Sequence, residues 1–186
     1  MAIKSICVYC SAVDGVPEPY KKIAHEIGAA LAARKLKLVF GGGRMGLMGV
    51  MADAALAAGG EVVGVIPKPL REREIQHTGV TELHVVPDMH TRKRMMIELA
   101  DAFVVLPGGL GTLDEALEAL TWKRLRLHQK PIIIFNQDGF WEPLLVLFRH
   151  LHDKGLAHPG DLELYSTVGS IAELMKEIDR LAAPTS

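Results

Sequence analysis

Apolar residues follow two patterns along this chain, short uninterrupted runs and longer stretches with a helical period. The runs are rich in β-branched residues and predict strands at 5–9, 37–40, 62–66, 83–86, 102–106 and 131–135. The stretches between them predict helices at about 17–34, 46–58, 89–100, 112–127 and 140–153. A last helix, at about 170–182, is predicted to begin at Ser170, with Glu173 three residues later as in a capping box.

The alternation of strands and helices predicts a Rossmann-like, doubly wound α/β fold, with a mainly parallel sheet flanked by helices on both faces. Several runs are apolar at every position, which is typical of strands buried on both sides. No linker, repeat or low-complexity segment divides the chain, so we expect one domain over residues 1–186. Ligands of such sheets bind beyond the carboxyl ends of the strands, which places the turns at 10–15, 41–46, 67–74 and 107–112 around one crevice.

Composition narrows the class of protein. The formal net charge of −1 gives no electrostatic reason to expect nucleic acid or an anionic membrane as a partner. No apolar run approaches the ~20 residues of a membrane span, and the first residues lack the pattern of a signal peptide. We therefore expect a soluble, cytoplasmic protein.

The two cysteines, Cys7 and Cys10, have the Cys-x-x-Cys spacing of redox and zinc sites. Cys7 lies inside an apolar strand, however, and no second pair completes a zinc site. We expect two reduced, inert thiols, with Cys10 at the end of a strand near a ligand. The eight histidines show no metal-binding spacing, so neither a metal nor another cofactor is expected.

The turn at 107–112 has a proline and three glycines and leads into an acidic helix. Backbone amides at a helix start can hold an anion, because the first four lack partners within the helix. Thr112 and Glu115 also fit a capping box, in which Glu115 would reach back to the helix start. The capping box does not explain the glycines, so we favour an anion or nucleotide site.

The turn at 41–46 matches G-x-G-x-x-G between a strand and a helix. A dinucleotide site would need an acidic residue at the far end of the next strand, and Glu61 stands at its beginning instead. The glycines could also serve only close packing between helix and strand.

Two charged segments complete the crevice. Three cations, Arg92, Lys93 and Arg94, follow the predicted N-cap Asp88, where the helix dipole favours acids, so we expect a ligand phosphate or carboxylates to compensate them. Arg94 is expected on a solvated face, and Arg92, two positions away, points elsewhere. The segment 67–74 is interpreted either as a mobile lid or as a plain surface loop.

The motifs together resemble those of the LOG ("lonely guy") family of cytokinin-activating phosphoribohydrolases, many of which were once labelled lysine decarboxylases. Residues 107–115 fit P-G-G-x-G-T-x-x-E, and residues 41–49 resemble G-G-G-x-x-G-L-M-G. Residues 89–93 resemble M-H-x-R-K, and residues 136–140 resemble N-x-D-G-[FY]. The resemblance covers nearly the whole chain.

The resemblance implies a homodimer that hydrolyses the N-glycosidic bond of a purine nucleoside 5′-monophosphate, giving free base and ribose 5-phosphate. It implies Arg92 and Glu115 as the catalytic pair. The residues expected to bind substrate are Glu74, Lys93, Gly108, Gly109, Leu110, Gly111, Thr112 and Thr121, with Gly42, Gly43 and Met89 from the other two motifs. The chain departs from the family pattern at Cys10, Asp114 and Arg124.

Two other functions are compatible with parts of the sequence. A nucleotide- or phosphosugar-binding protein without catalysis would need the same phosphate site, and only Arg92 and Glu115 distinguish it from an enzyme. A lysine decarboxylase would normally need pyridoxal phosphate on a lysine, and nothing in the sequence singles out one buried lysine.

Overall fold

The computed structural model describes residues 2–71 and 75–183. Its strands are β1 (Ser5–Tyr9), β2 (Lys37–Phe40), β3 (Val62–Pro67), β4 (Glu82–Val86), β5 (Ala102–Val105), β6 (Ile132–Phe135) and β7 (Ser166–Val168). Its helices are α1 (Glu18–Ala33), α2 (Gly46–Ala57), α3 (Lys68–Arg71), α4 (Met89–Leu99), α5 (Leu110–Arg124), α6 (Glu142–Asp153) and α7 (Ile171–Ala182). Among the described helices, none is both long and apolar enough to cross a membrane.

The strands form one parallel sheet in the order β4-β3-β2-β1-β5-β6-β7. The predicted Rossmann-like fold is therefore confirmed. The predicted strands are correct to within one residue at each end, whereas β7 was not predicted. This strand has three residues, two of them polar, and pairs only with β6 at the edge of the sheet.

Two apolar layers cover the sheet because alternate strand residues point to opposite faces. Ile6 and Val8 of β1 pack in the layer with α1, α2 and α7, and Cys7 and Tyr9 pack in the layer with α4, α5 and α6. Of the five inner strands, β1, β3, β5 and β6 are buried at every position, as their continuous apolar runs predict.

Strand order reverses between β1 and β5, because the chain builds outward from β1 to β4 and then returns to the other side of β1. The loops after these two strands therefore diverge and leave a crevice at their carboxyl ends. The Ser11 amide donates a hydrogen bond to the Pro107 carbonyl (3.2 Å) and holds the two loops in register. The fold thus provides a ligand crevice beside the turn at 107–112.

Some local predictions differ from the structure. Helix α5 begins at Leu110, two residues before the predicted start, and ends at Arg124, three residues before the predicted end. Helix α6 begins at Glu142, two residues after its predicted start. Lys68–Arg71 forms one helical turn, where a loop was predicted. The remainder of that segment, including Glu74, lies outside the described residues.

Candidate active site

A cleft of about 210 Å³ lies at the point where the strand order reverses. It is lined by the loop after β1, by Gly41 after β2, and by the start of α5, with side chains from α2 and α4. The lining residues are Val8, Cys10, Ser11, Ala12, Val13, Gly41, Met48, Arg92, Gly109, Leu110, Gly111, Thr112 and Glu115. Three of the four predicted turns therefore meet here as expected.

Arg92 is buried at the floor of the cleft, with 7% of its surface exposed. Its Nε donates to the Val65 carbonyl (3.1 Å) and its Nη2 donates to the Gly41 carbonyl (3.3 Å). Its Nη1 lies 3.1 Å from Glu115 Oε1. One guanidinium thus connects the ends of β2 and β3 with α5, and these contacts fix its orientation.

The glycine turn after β2 makes room for this guanidinium. A Cβ atom at Gly41 would overlap Nη2 of Arg92. Gly42 has a positive φ of 72° and packs against β3, while Gly43 packs against Met48. Gly42 and Gly43, predicted to bind substrate, are not among the residues that line the cleft.

Glu61 does not supply the acid of a dinucleotide site. Its carboxylate pairs with Lys37 Nζ at 2.7 Å. Both residues lie at the amino ends of the strands, opposite the cleft, as the sequence indicates.

Glu115 is buried on the first turns of α5, with 8% of its surface exposed. Burial raises the pKa of Glu115 above its ordinary value because it disfavours the charged form, while the Arg92 guanidinium opposes this effect. The result is a carboxylate at the cleft whose pKa is raised and which is held by a fixed cation. Such groups concentrate at catalytic sites.

The start of α5 presents backbone amides to the cleft. Gly109 is the N-cap, and no side chain among the described residues caps this end. The first amides of α5 are therefore available to an anion. A Cβ atom at Gly109 or Gly111 would have no heavy atom of the described residues within 4 Å, whereas one at Gly108 would overlap the Thr112 side chain.

The capping-box interpretation of this turn is wrong. Because α5 begins at Leu110, Thr112 lies inside the first turn, and the carboxylate of Glu115 faces Arg92. The glycines and the acid therefore belong to one cleft.

The cations of the segment 92–94 point in different directions, as their spacing predicts. Asp88 caps α4 by accepting a hydrogen bond from the Thr91 amide (2.8 Å). Arg94 is exposed, and its Nε lies 4.0 Å from Glu98 Oε1 on the same helix. Carboxylates of α5 compensate the other two cations, Arg92 through Glu115 and Lys93 through Asp114 and Glu118.

Several predicted substrate residues are not among those that line the cleft. Lys93 is turned toward α5, and Met89 is exposed, with its Sδ 3.9 Å from Arg92 Nη1. Thr121 is exposed on α5 and lines a separate cavity of about 170 Å³ between α5 and α6. Substrate contacts for these residues stay predictions.

The cleft also includes residues that lie in the predicted turns or motifs but were not predicted to bind substrate. Ser11, Val13 and Met48 line its wall beside Cys10, which is near the site as predicted. Cys7 and Cys10 are free thiols, and burial raises the pKa of both well above the ordinary value, so they are neutral and inert. A glycine-rich turn is visible in a sequence, but apolar wall residues such as Val13 have no distinguishing pattern.

Comparison with known proteins identifies the family. A family model described as "Possible lysine decarboxylase" matches residues 48–178. The chain is 49% identical over 157 residues to a cytokinin riboside 5′-monophosphate phosphoribohydrolase of Rhodococcoides fascians, covering 84% of this chain and 79% of that protein. A protein of the same name from Arabidopsis thaliana is 41% identical over 176 residues, covering 95% of this chain and 83% of the relative. The chain belongs to this LOG family.

The similarity to solved structures concerns the fold alone. A molybdenum cofactor binding protein from Rippkaea orientalis superposes with a TM-score of 0.74 at 21% identity, over 98% of this chain and 99% of that chain. The molybdenum cofactor carrier protein of Chlamydomonas reinhardtii gives the same TM-score at 22% identity, with the same coverage. LOG-family membership rests on the closer sequence relatives and on the motifs of the cleft.

Proposed function

We propose that this protein is a phosphoribohydrolase that cleaves the N-glycosidic bond of a purine nucleoside 5′-monophosphate, AMP or a cytokinin riboside monophosphate. The observation that carries the proposal is the buried Arg92–Glu115 pair (3.1 Å) on the floor of a cleft that the uncapped start of α5 also lines. The first feature provides catalysis and the second provides phosphate binding. The names of the LOG-family relatives support the same reaction.

In the reaction, water adds to C1′ of the ribose as the bond to the base nitrogen breaks. The bonding electrons leave with the base, which takes up a proton, and the products are free base and ribose 5-phosphate. Positive charge builds up on C1′ and the ring oxygen, and a nearby carboxylate stabilises it. Glu115 has this role in its ionised form. It either stabilises the positive charge on the ribose directly or activates the attacking water.

Arg92 keeps Glu115 in that form, because its charge opposes the effect of burial on the carboxyl group. The amides at 109–112 bind the 5′-phosphate at the positive end of the α5 dipole. Glu74 and Thr121, implied by the resemblance, would add contacts to the substrate. Glu74 lies outside the described residues, and Thr121 lines the separate cavity between α5 and α6.

The experiment is a panel of nucleoside monophosphates with and without an N6 prenyl group, assayed for free base. We expect base release from AMP or its prenylated derivative and none from the matching nucleosides, which lack the phosphate. Binding of AMP without base release would instead indicate the non-catalytic nucleotide-binding protein.

The residues of the cleft do not fit a decarboxylase that uses pyridoxal phosphate. That chemistry requires a lysine for the Schiff base. None of the residues found to line the cleft is a lysine, and nearby Lys93 is held by two carboxylates. The pKa of Lys93 is raised although burial alone lowers it, so its amine is protonated and not nucleophilic.

We propose further that the protein is a homodimer that works in the cytoplasm. Leu117 of α5 and Val146 and Leu147 of α6 are between 40% and 51% exposed, which suits a face covered by a second copy. Free buried thiols suit a reducing compartment. Light scattering should give twice the chain mass, and cell fractionation should recover the protein with cytoplasmic enzymes; a monomer would contradict the first proposal.

A further inference from the structure

Lys93 follows Arg92 on α4, but its side chain takes a different direction. Its Nζ lies 3.0 Å from Asp114 Oδ2 and 3.1 Å from Glu118 Oε2, both on α5. The residue is 8% exposed and is not among those that line the cleft. Two adjacent ion-pair groups thus join α4 to α5, Arg92 with Glu115 and Lys93 with Asp114 and Glu118.

The second group matters because α5 places three carboxylates close together. Asp114 precedes Glu115, and Glu118 lies one turn further along the helix. Asp114 and Glu118 each raise the pKa of Glu115, since a nearby negative charge disfavours ionisation, and Lys93 lowers it. Lys93 is the cation that both outer carboxylates contact.

Among residues 2–71 and 75–183, the other groups that face Glu115 do not replace this cation. Arg92 contributes from α4, and its Nη1 already pairs with Glu115. The thiols of Cys7 and Cys10 and the phenol of Tyr9 face it from the sheet. Burial raises the pKa of all three, so they are neutral at physiological pH and carry no charge to the site.

We propose that Lys93 is a positioning residue, which holds the Glu115 turn of α5 against α4 and keeps Glu115 ionised by balancing the charges of Asp114 and Glu118. This role differs from the substrate contact that the family resemblance implies for Lys93. It rests on the proposed function, in which the ionised form of Glu115 is the active one.

The test compares variants that break the same ion pairs with opposite changes of charge. Lys93→Met leaves two uncompensated carboxylates and should move the acidic limb of the kcat–pH profile up by about one pH unit. Asp114→Asn and Glu118→Gln each remove one negative charge near Glu115 and leave the charge of Lys93 in place. Each should move the acidic limb to lower pH. Lys93→Met combined with Glu118→Gln restores the balance of charge and should return the limb toward its original position.

Arg94→Met is the matched control. It removes one positive charge from the same helix at the next position, but Arg94 faces solvent and lies near Glu98. We expect no shift of the limb. If Lys93 only held the two helices together, removing Lys93 and removing a carboxylate would not shift the acidic limb in opposite directions. The double variant would then not return the limb to its original position.

A direct measurement separates this proposal from the proposed function. The pH titration of the Glu115 carboxyl carbon, followed by 13C NMR and assigned with Glu115→Gln, needs no turnover. We expect its pKa to rise in Lys93→Met and to fall in Asp114→Asn. If the wild type releases no base, the proposed function fails while this titration still tests Lys93.

Two results would overturn the proposal. One is an unchanged Glu115 titration in both kinds of variant. The other is a Lys93→Met enzyme whose KM rises at every pH while its acidic limb stays in place, which would mean that Lys93 binds the substrate. If Lys93→Met does not fold, the single variants Asp114→Asn and Glu118→Gln, which retain Lys93, still test the proposal. A fall in the pKa of Glu115 in these variants supports it, and an unchanged pKa contradicts it.

Discussion

Glu115 is a buried carboxylic acid that lines the cleft, and burial raises its pKa above the ordinary value. Glu115→Gln keeps the size of the side chain and its ability to hydrogen-bond but removes the charge. We expect turnover of AMP to fall by about 10³-fold or more, as when one stabilising group is removed from a transition state. Nucleotide binding, measured by calorimetry, should persist because the amides at 109–112 are unchanged.

Glu98→Gln, an exposed glutamate on α4, is the control for that variant and should retain full turnover. Base release at the wild-type rate by Glu115→Gln would contradict the catalytic role.

The raised pKa of Glu115 also predicts a pH dependence. The ionised carboxylate is the active form, so activity is present above the pKa and is lost as pH falls through it. Because burial raises that pKa, kcat/KM should begin to fall at a higher pH than an ordinary glutamate would give. A pH–rate profile measures this limb; a limb no higher than that of an ordinary glutamate would contradict the assignment.

At the scale of the element, the start of α5 contains glycines with two separate roles. Gly108 packs against Thr112, while Gly109 and Gly111 border open space. A methyl group at Gly109 would contact no atom in the part of the chain that the structure describes but would obstruct a bound phosphate. Gly109→Ala should therefore raise KM about tenfold or more, with a change in unfolding free energy within about 0.5 kcal/mol.

Gly108→Ala is the counterpart on the same turn. Its Cβ would overlap the Thr112 side chain, and we expect a loss of stability of about 1–3 kcal/mol from overpacking. Urea unfolding and steady-state kinetics of the two variants separate the roles. Equal effects of both variants on KM and stability would mean that the glycines serve packing alone.

At the scale of the whole molecule, Arg92 joins the two sides of the crevice. Its guanidinium contacts the carbonyls of Gly41 and Val65 on one side of β1 and the carboxylate of Glu115 on the other. A lysine has the same charge but cannot make the three contacts together. Arg92→Lys should lower the free energy of unfolding by about 1–3 kcal/mol and abolish most base release.

Arg94→Lys, the same substitution on the exposed face of α4, should leave both quantities unchanged. Chemical denaturation and the base-release assay measure the pair of variants. A fully active and stable Arg92→Lys protein would show that the geometry of the guanidinium is not required.

The elements that the sequence identifies correctly are those with a strong local signal. The apolar runs of β1 and β2 give the observed bounds, and Ser170 caps α7 by accepting a hydrogen bond from the Glu173 amide (3.2 Å). The short β7 and α3 are missed because three or four residues have too little periodicity to detect.

Three loops of the site can be predicted from the sequence, because strand ends and glycine turns are encoded locally. The pairing of the charged residues depends on how the helices pack. Glu115 fits a local capping box, and its partner is 23 residues away on α4, at a distance in the chain where no helical spacing applies. Arg92 and Lys93 are adjacent in sequence, yet the packing of α4 on α5 directs one toward the cleft and the other away from it. The packing of α4 on α5 fixes the directions of these two side chains. A buried charge needs an opposite charge beside it, and the fold determines which opposite charge lies nearest.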